Sequence, residues 1–127
     1  MPAKVADASV LAAFVFEEPE APEAARLLKN AELYEPTLLR YELASVARKK
    51  AAKAPAQRDA LLQALELGLA IDIRWIEVDP VACVELSLEA GLTTYDAAYL
   101  HVAELYGAEL VTLDERLKAS ARRRSAP

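Results

Sequence analysis

The chain has 127 residues, 54% hydrophobic and 28% charged, with a formal net charge of −5. That is enough apolar material for one domain with its own core, and too much for a disordered chain. The single cysteine, Cys83, excludes an intrachain disulfide and a cysteine-rich zinc site, and the acidic balance excludes nucleic-acid binding by bulk charge.

Lys4 to Asp7 reads as a short strand, with Val5 and Ala6 apolar. Val10 to Phe16 starts a helix capped by Asp7 or Ser9. It is too short to span a membrane, and its acidic flanks do not suit a signal peptide, so a cytoplasmic location is expected. Pro19 and Pro22 interrupt, and Glu23 to Asn30 resumes as a helix. Ala31 to Glu35 is a brief strand, and Pro36 suits the start of a third helix over Thr37 to Lys50. After Pro55 a further helix runs from Ala56 to Leu69, with Leu61, Leu62, Leu65 and Leu69 at helical spacing. Ile71 to Val78 contains a third strand, and Pro80 opens a helix that Gly91 ends. Thr93 and Thr94 offer caps for the next helix, which Gly107 stops. Leu110 to Leu113 suits a buried strand, and a last helix starts near Glu115. The alternation predicts an α/β fold with a short parallel sheet flanked by helices: one domain over residues 1–121, then a basic, flexible tail over 122–127.

No Walker loop, Rossmann fingerprint, nucleophile elbow or histidine metal cluster is present. His101 is the only histidine and reads as structural or exposed, and Cys83 as a core residue. What remains is acidic. Asp7 and Asp114 follow predicted strands, and Asp96 opens a helix three residues after Thr93. Each could be no more than a helix cap. Glu42 lies three and four residues after Leu39 and Leu38 and four before Val46, on the apolar stripe of its helix. A carboxylate there is costly unless paired or bound to a metal. In a parallel sheet, strand C-termini and helix starts converge on one edge, so the four are expected to share a pocket there. Clustered carboxylates repel one another, and hard divalent cations such as Mg²⁺ or Mn²⁺ relieve that repulsion.

The stretches VADASVL from Val5, YEL from Tyr41, LTTYDAAYL from Leu92 and LVTLDERL from Leu110 resemble PIN-domain ribonucleases, close to the VapC-type toxins of toxin–antitoxin pairs. The resemblance covers nearly the whole chain, and the last two stretches at this separation carry it. It implies a sheet sandwiched by helices and metal-dependent hydrolysis of RNA phosphodiester bonds, leaving a 5′-phosphate. By the resemblance Asp7, Glu42, Asp96 and Asp114 match the acidic, catalytic site that binds Mg²⁺ or Mn²⁺, and Ser9 and Thr112 match polar positions that support it. It also implies a homodimer and a partner antitoxin. One departure is the ending LKASARRRSAP, which lacks the apolar final strand of many relatives.

An acidic protein must still hold RNA. Arg48, Lys49, Lys50, Lys53 and Arg58 form the densest basic group and could neutralise phosphates; a solvated helix end is the plainer alternative. Tyr34, Tyr41, Tyr95, Tyr99 and Tyr106 could stack bases or pack in the core or an interface. Two rivals stand beside the ribonuclease: a PIN-scaffold interaction protein with little intrinsic cleavage, and a receiver-like phosphoacceptor domain. The second wants paired acids early in the chain, and Asp7 has no acidic neighbour.

Overall fold

The computed structural model describes residues 1–126; Pro127, the end of the expected tail, lies outside the described residues. Four strands, β1 (Ala3–Ala6), β2 (Glu32–Pro36), β3 (Ile73–Ile76) and β4 (Glu109–Val111), form one sheet in the order β3-β2-β1-β4. All neighbours are parallel: Lys4 pairs with Leu33 of β2 and Glu109 of β4, and Leu33 with Ile73 of β3. Each crossover is helical, as parallel pairing requires. The helices are α1 (Ala8–Val15), α2 (Ala21–Leu28), α3 (Leu38–Lys53), α4 (Arg58–Leu69), α5 (Pro80–Ala90), α6 (Thr94–Tyr106) and α7 (Glu115–Ser125), with a single 3-10 turn at Pro55–Gln57.

The chain moves outward from β1 to β2 to β3, then returns to lay β4 on the other side of β1. The order therefore reverses at β1, and the crevice outside the C-terminal ends of β1 and β4 is where an open α/β sheet binds its ligands. Helices α1 to α4 pack with one another, α5 pairs with α6, and α6 lies against β1, β2 and β4. Val5, Val10, Leu11, Leu39, Leu43, Tyr99 and Val102 fill the main core. Gly91 and Gly107 end α5 and α6 at φ 68° and 61°, a region where a side chain would be strained. Gly68 has a different task. A Cβ there would stand 2.7 Å from Val15 Cγ2, so the seat of α1 on α4 has room only for hydrogen.

Three expectations are corrected. Pro36 closes β2 instead of opening a helix; its N–H would be missing in either place, and β2 still pairs with β3 there. The last strand is shorter than the apolar run, because Thr112 and Leu113 turn away to reach the β1 end. The basic tail, expected to be at most partly helical, is helical as far as Ser125, where α7 ends. Arg124 holds that end down, donating to Glu104 on α6 at 2.5 Å and 3.0 Å and pairing with Glu89 on α5.

Candidate active site

Strand β1 and its edge neighbour β4 each lead into an aspartate that caps the next helix, and the sequence around each explains why. Asp7 has extended backbone and caps α1, with Oδ1 accepting from the Val10 amide at 3.4 Å. Ser9 Oγ donates to the same oxygen at 2.6 Å, and Thr112 Oγ1 donates to Oδ2 at 2.7 Å. Both hydroxyls also accept: Ser9 from the Leu113 amide at 3.0 Å and Thr112 from the Asp114 amide at 2.9 Å. The expected supporting pair thus stitches the end of β1 to the end of β4 through Asp7. Asp7 is only 5% exposed, and burial raises its pKa; Ser9, Thr112 and Val10 oppose the rise and Asp96 adds to it. Asp114 caps α7, accepting from the amides of Arg116 and Leu117 at 2.9 and 3.1 Å, and is exposed.

The other two acids come from helices. Glu42 lies early in α3 beside buried Leu39 and Leu43, and is half-buried. Tyr99 Oη donates to Glu42 Oε1. Burial raises the Glu42 pKa, Tyr99 lowers it, and Asp96 and Asp7 raise it further. Asp96 sits in the first turn of α6, where its amide donates to Thr93 Oγ1 at 3.0 Å. Its pKa is raised by burial and then by Asp114, against Thr93 and Arg116.

Those mutual influences join all four acids into one electrostatic set. Asp7 feels Asp96, Glu42 feels Asp96 and Asp7, and Asp96 feels Asp114. Two follow strands β1 and β4, Asp96 lies in the first turn of α6, and Glu42 one turn into α3, at the C-terminal edge of the sheet. Among the described residues, however, no three acidic, histidine or cysteine side chains are gathered closely enough to hold a metal ion by themselves. The donor set is all oxygen, which suits Mg²⁺ or Mn²⁺ and not a zinc site of nitrogen and sulfur. Its spread suits an ion that keeps several waters between itself and its carboxylates.

Comparison with known proteins agrees with this architecture. The PIN domain family model matches residues 4–123. Ribonuclease VapC3 of Pyrobaculum aerophilum is 35% identical over 119 residues, covering 89% of this chain and 90% of that protein. The chain belongs to the PIN-domain family of VapC-type ribonucleases. The PIN fold is also seen in a crystal structure, that of PAE2754 from Pyrobaculum aerophilum. It matches with a TM-score of 0.74 and 27% identity, covering 94% of this chain and 86% of that one.

The basic group expected to hold RNA lies farther along this PIN domain than its acids. Arg48 and Lys53 follow Glu42 on α3 by roughly 9 Å and 16 Å of helix rise. Lys50 is tied to Glu18 at 2.8 Å, while Arg48, Lys49, Lys53 and Arg58 are exposed. A cation nearer the acids is Arg116, which lowers the Asp96 pKa and donates to the Gly91 carbonyl at 3.3 Å. Of the tyrosines, Tyr41 and Tyr95 stand exposed beside Glu42 and Asp96, Tyr34 stacks on Tyr106 at 5.0 Å, and Tyr99 is buried.

Two residues beside the acids are given no role in the acidic site by the motifs. Tyr99 follows Asp96 by three residues on α6, so the two share a helix face; its pKa is raised by burial and then by Glu42. Glu35 follows Leu33 by two on β2, and alternation alone assigns it to the same inward face. It is 0% exposed, and burial raises its pKa well above the usual carboxylate range; the Ala6 amide opposes this and Asp7 adds to it.

Proposed function

We propose that this PIN domain is a Mg²⁺- or Mn²⁺-dependent endoribonuclease whose catalytic carboxylates are Asp7, Glu42, Asp96 and Asp114. One observation carries the reading: carboxylates from four separate elements repel one another at the point where the strand order reverses. Stability alone does not call for that convergence, since each buried or repelled charge disfavours the fold. A bound divalent ion would supply the charge that activates water and neutralises the phosphodiester. The four carboxylates would hold it, with Asp7 fixed in place by Ser9 and Thr112. Tyr99 keeps Glu42 turned toward the set. Arg116 offers a guanidinium to the backbone phosphate beside Asp96, and the exposed cations along α3 extend the track for the rest of the strand. The product retains a 5′-phosphate.

The VapC kinship supports the wider setting: a cytoplasmic toxin, a homodimer, and a partner antitoxin protein that silences it. Among the described residues no helix is long and apolar enough to cross a membrane. The test is cleavage of an end-labelled RNA by the purified chain in chelator, Mg²⁺ and Mn²⁺. We expect cuts only with metal, and on the order of 100-fold or more loss of cutting in Asp7→Asn. Metal-independent cutting, or none at all from a folded parent under any metal, would overturn the reading; the second result would favour the interaction scaffold.

A further inference from the structure

Around β1 the sheet is closed on one side and open on the other. The β1–β4 ladder runs to Ala6 opposite Val111, and the β2–β3 ladder to Pro36 opposite Ile76. Between β1 and β2 the ladder stops at Lys4 opposite Leu33. Continuing that register would set Ala6 opposite Glu35. Instead the Glu35 side chain enters the gap, and its Oε2 accepts from the Ala6 amide at 2.8 Å. Its other oxygen, Oε1, is buried with no hydrogen-bond partner, the only such side-chain atom among the described residues.

This is a costly way to satisfy one amide. A strand carbonyl could take the Ala6 proton, and an apolar side chain beside Leu33 would suit the core. What the arrangement achieves is local. Ala6 is the last residue of β1, and Asp7 is the next. We propose that Glu35 is a positioning residue for the acidic site: its carboxyl, wedged between β1 and β2, holds the Ala6 amide and fixes the direction in which Asp7 leaves the sheet. Asp7 is then set from both sides, by Glu35 through the backbone and by Ser9 and Thr112 at its oxygens. The proposal rests on the metal-site reading above and adds a residue that none of the family-like stretches contains.

The test compares Glu35→Gln, which keeps an acceptor of the same reach, with Glu35→Leu, which keeps the bulk and loses it. Mn²⁺ affinity is titrated directly, without RNA, and Ala6 amide exchange is followed by NMR. We expect Glu35→Leu to bind Mn²⁺ ~10-fold more weakly or worse, the loss typical of an outer partner. Its Ala6 amide should exchange faster, while Glu35→Gln stays within about threefold of the parent on both measures, as the retained acceptor requires. Parent-like Mn²⁺ binding by Glu35→Leu overturns the proposal. So does equal weakening by both variants, since charge and not the hydrogen bond would then matter. If Glu35→Leu does not melt cooperatively, Glu35→Asp decides: it keeps the charge but falls one methylene short of Ala6. Weakened Mn²⁺ binding there supports the proposal, and parent-like binding overturns it. A folded parent that binds no Mn²⁺ overturns the metal-site reading instead, and Ala6 exchange still reports whether Glu35 holds the end of β1.

Discussion

Asp7 and Asp114 do the same local job at two neighbouring strand-to-helix junctions. Each follows a strand, has extended backbone, and accepts from amides in the first turn of the next helix. They differ in everything else. Asp114 is exposed, and its carboxylate accepts only from the two capping amides among the described residues. Asp7 is buried under two hydroxyls, beside a second buried carboxyl, within range of Glu42 and Asp96. Capping a helix requires no burial, as Asp114 demonstrates. The environment of Asp7 therefore answers to something other than the helix it caps. The comparison separates a carboxylate locked before any ligand arrives from one free to adjust around it.

The comparison breaks most visibly at the locked residue. Asp7→Asn should cut metal-dependent RNA cleavage by on the order of 100-fold or more, beyond the loss expected from an outer partner. Single-turnover assays at saturating metal check this, and cleavage within tenfold of the parent would place the reaction elsewhere. Asp114→Ser sharpens the other side, since serine caps as well as aspartate. Its melting temperature should match the parent while cleavage falls ~10-fold, as an adjustable ligand would give. Unchanged cleavage would reduce Asp114 to a cap. Tyr99→Phe removes the hydroxyl on Glu42 and keeps the ring. A hydrogen bond to a charged group contributes about 1.5–3 kcal/mol, less here because Glu42 is only half-buried, so cleavage should fall several-fold. Tyr99 lowers the Glu42 pKa, so the acid limb of the pH–rate profile should also move to higher pH.

The smallest effect is on stability, and its sign follows from the raised carboxyls. Asp7, Glu35, Glu42 and Asp96 all titrate higher in the folded chain than the unfolded values near 3.8 or 4.5. In that interval the folded state binds more protons, so these groups make the fold less stable as pH rises through their folded values. Lowering the pH toward the unfolded values restores that stability. In chelator, Asp96→Asn should therefore melt no lower than the parent at neutral pH, with any advantage shrinking toward acid. Mn²⁺ should raise the parent melting temperature and move the variant much less. Differential scanning across pH tests the order. A variant that melts lower in chelator and responds fully to metal would make Asp96 structural.

The helices and their ends were legible because their signals are local. Proline, glycine and hydroxyl caps announce themselves within a few residues, and Thr93, Gly91 and Gly107 act where their chemistry dictates. Chain position and motif both pointed to the four acids, but chain position says which edge a residue occupies and not how closely side chains approach. Pro36 was misread because proline suits a strand end as well as a helix start. The extent of the helical ending was not legible, because its hold, Arg124 on Glu104 and Glu89, spans distant parts of the chain. Glu35 was hidden for the same reason. Only the register between β1 and β2 reveals that its side chain does a strand's work.

The close seat of Val15 against Gly68 gives α1 a fixed datum at its far end. The helix has eight residues, a rod of roughly 12 Å, and its near end carries Ser9 and the Asp7 cap. The helix is therefore packed closely at one end and hydrogen-bonded at the other. A methyl group at position 68 would force the Val15 methyls aside, and if α1 takes up that shift as a body it reaches the Asp7 cap at the other end. The seat of the helix that Asp7 caps thus depends partly on a hydrogen atom on Gly68, 61 residues farther along the chain.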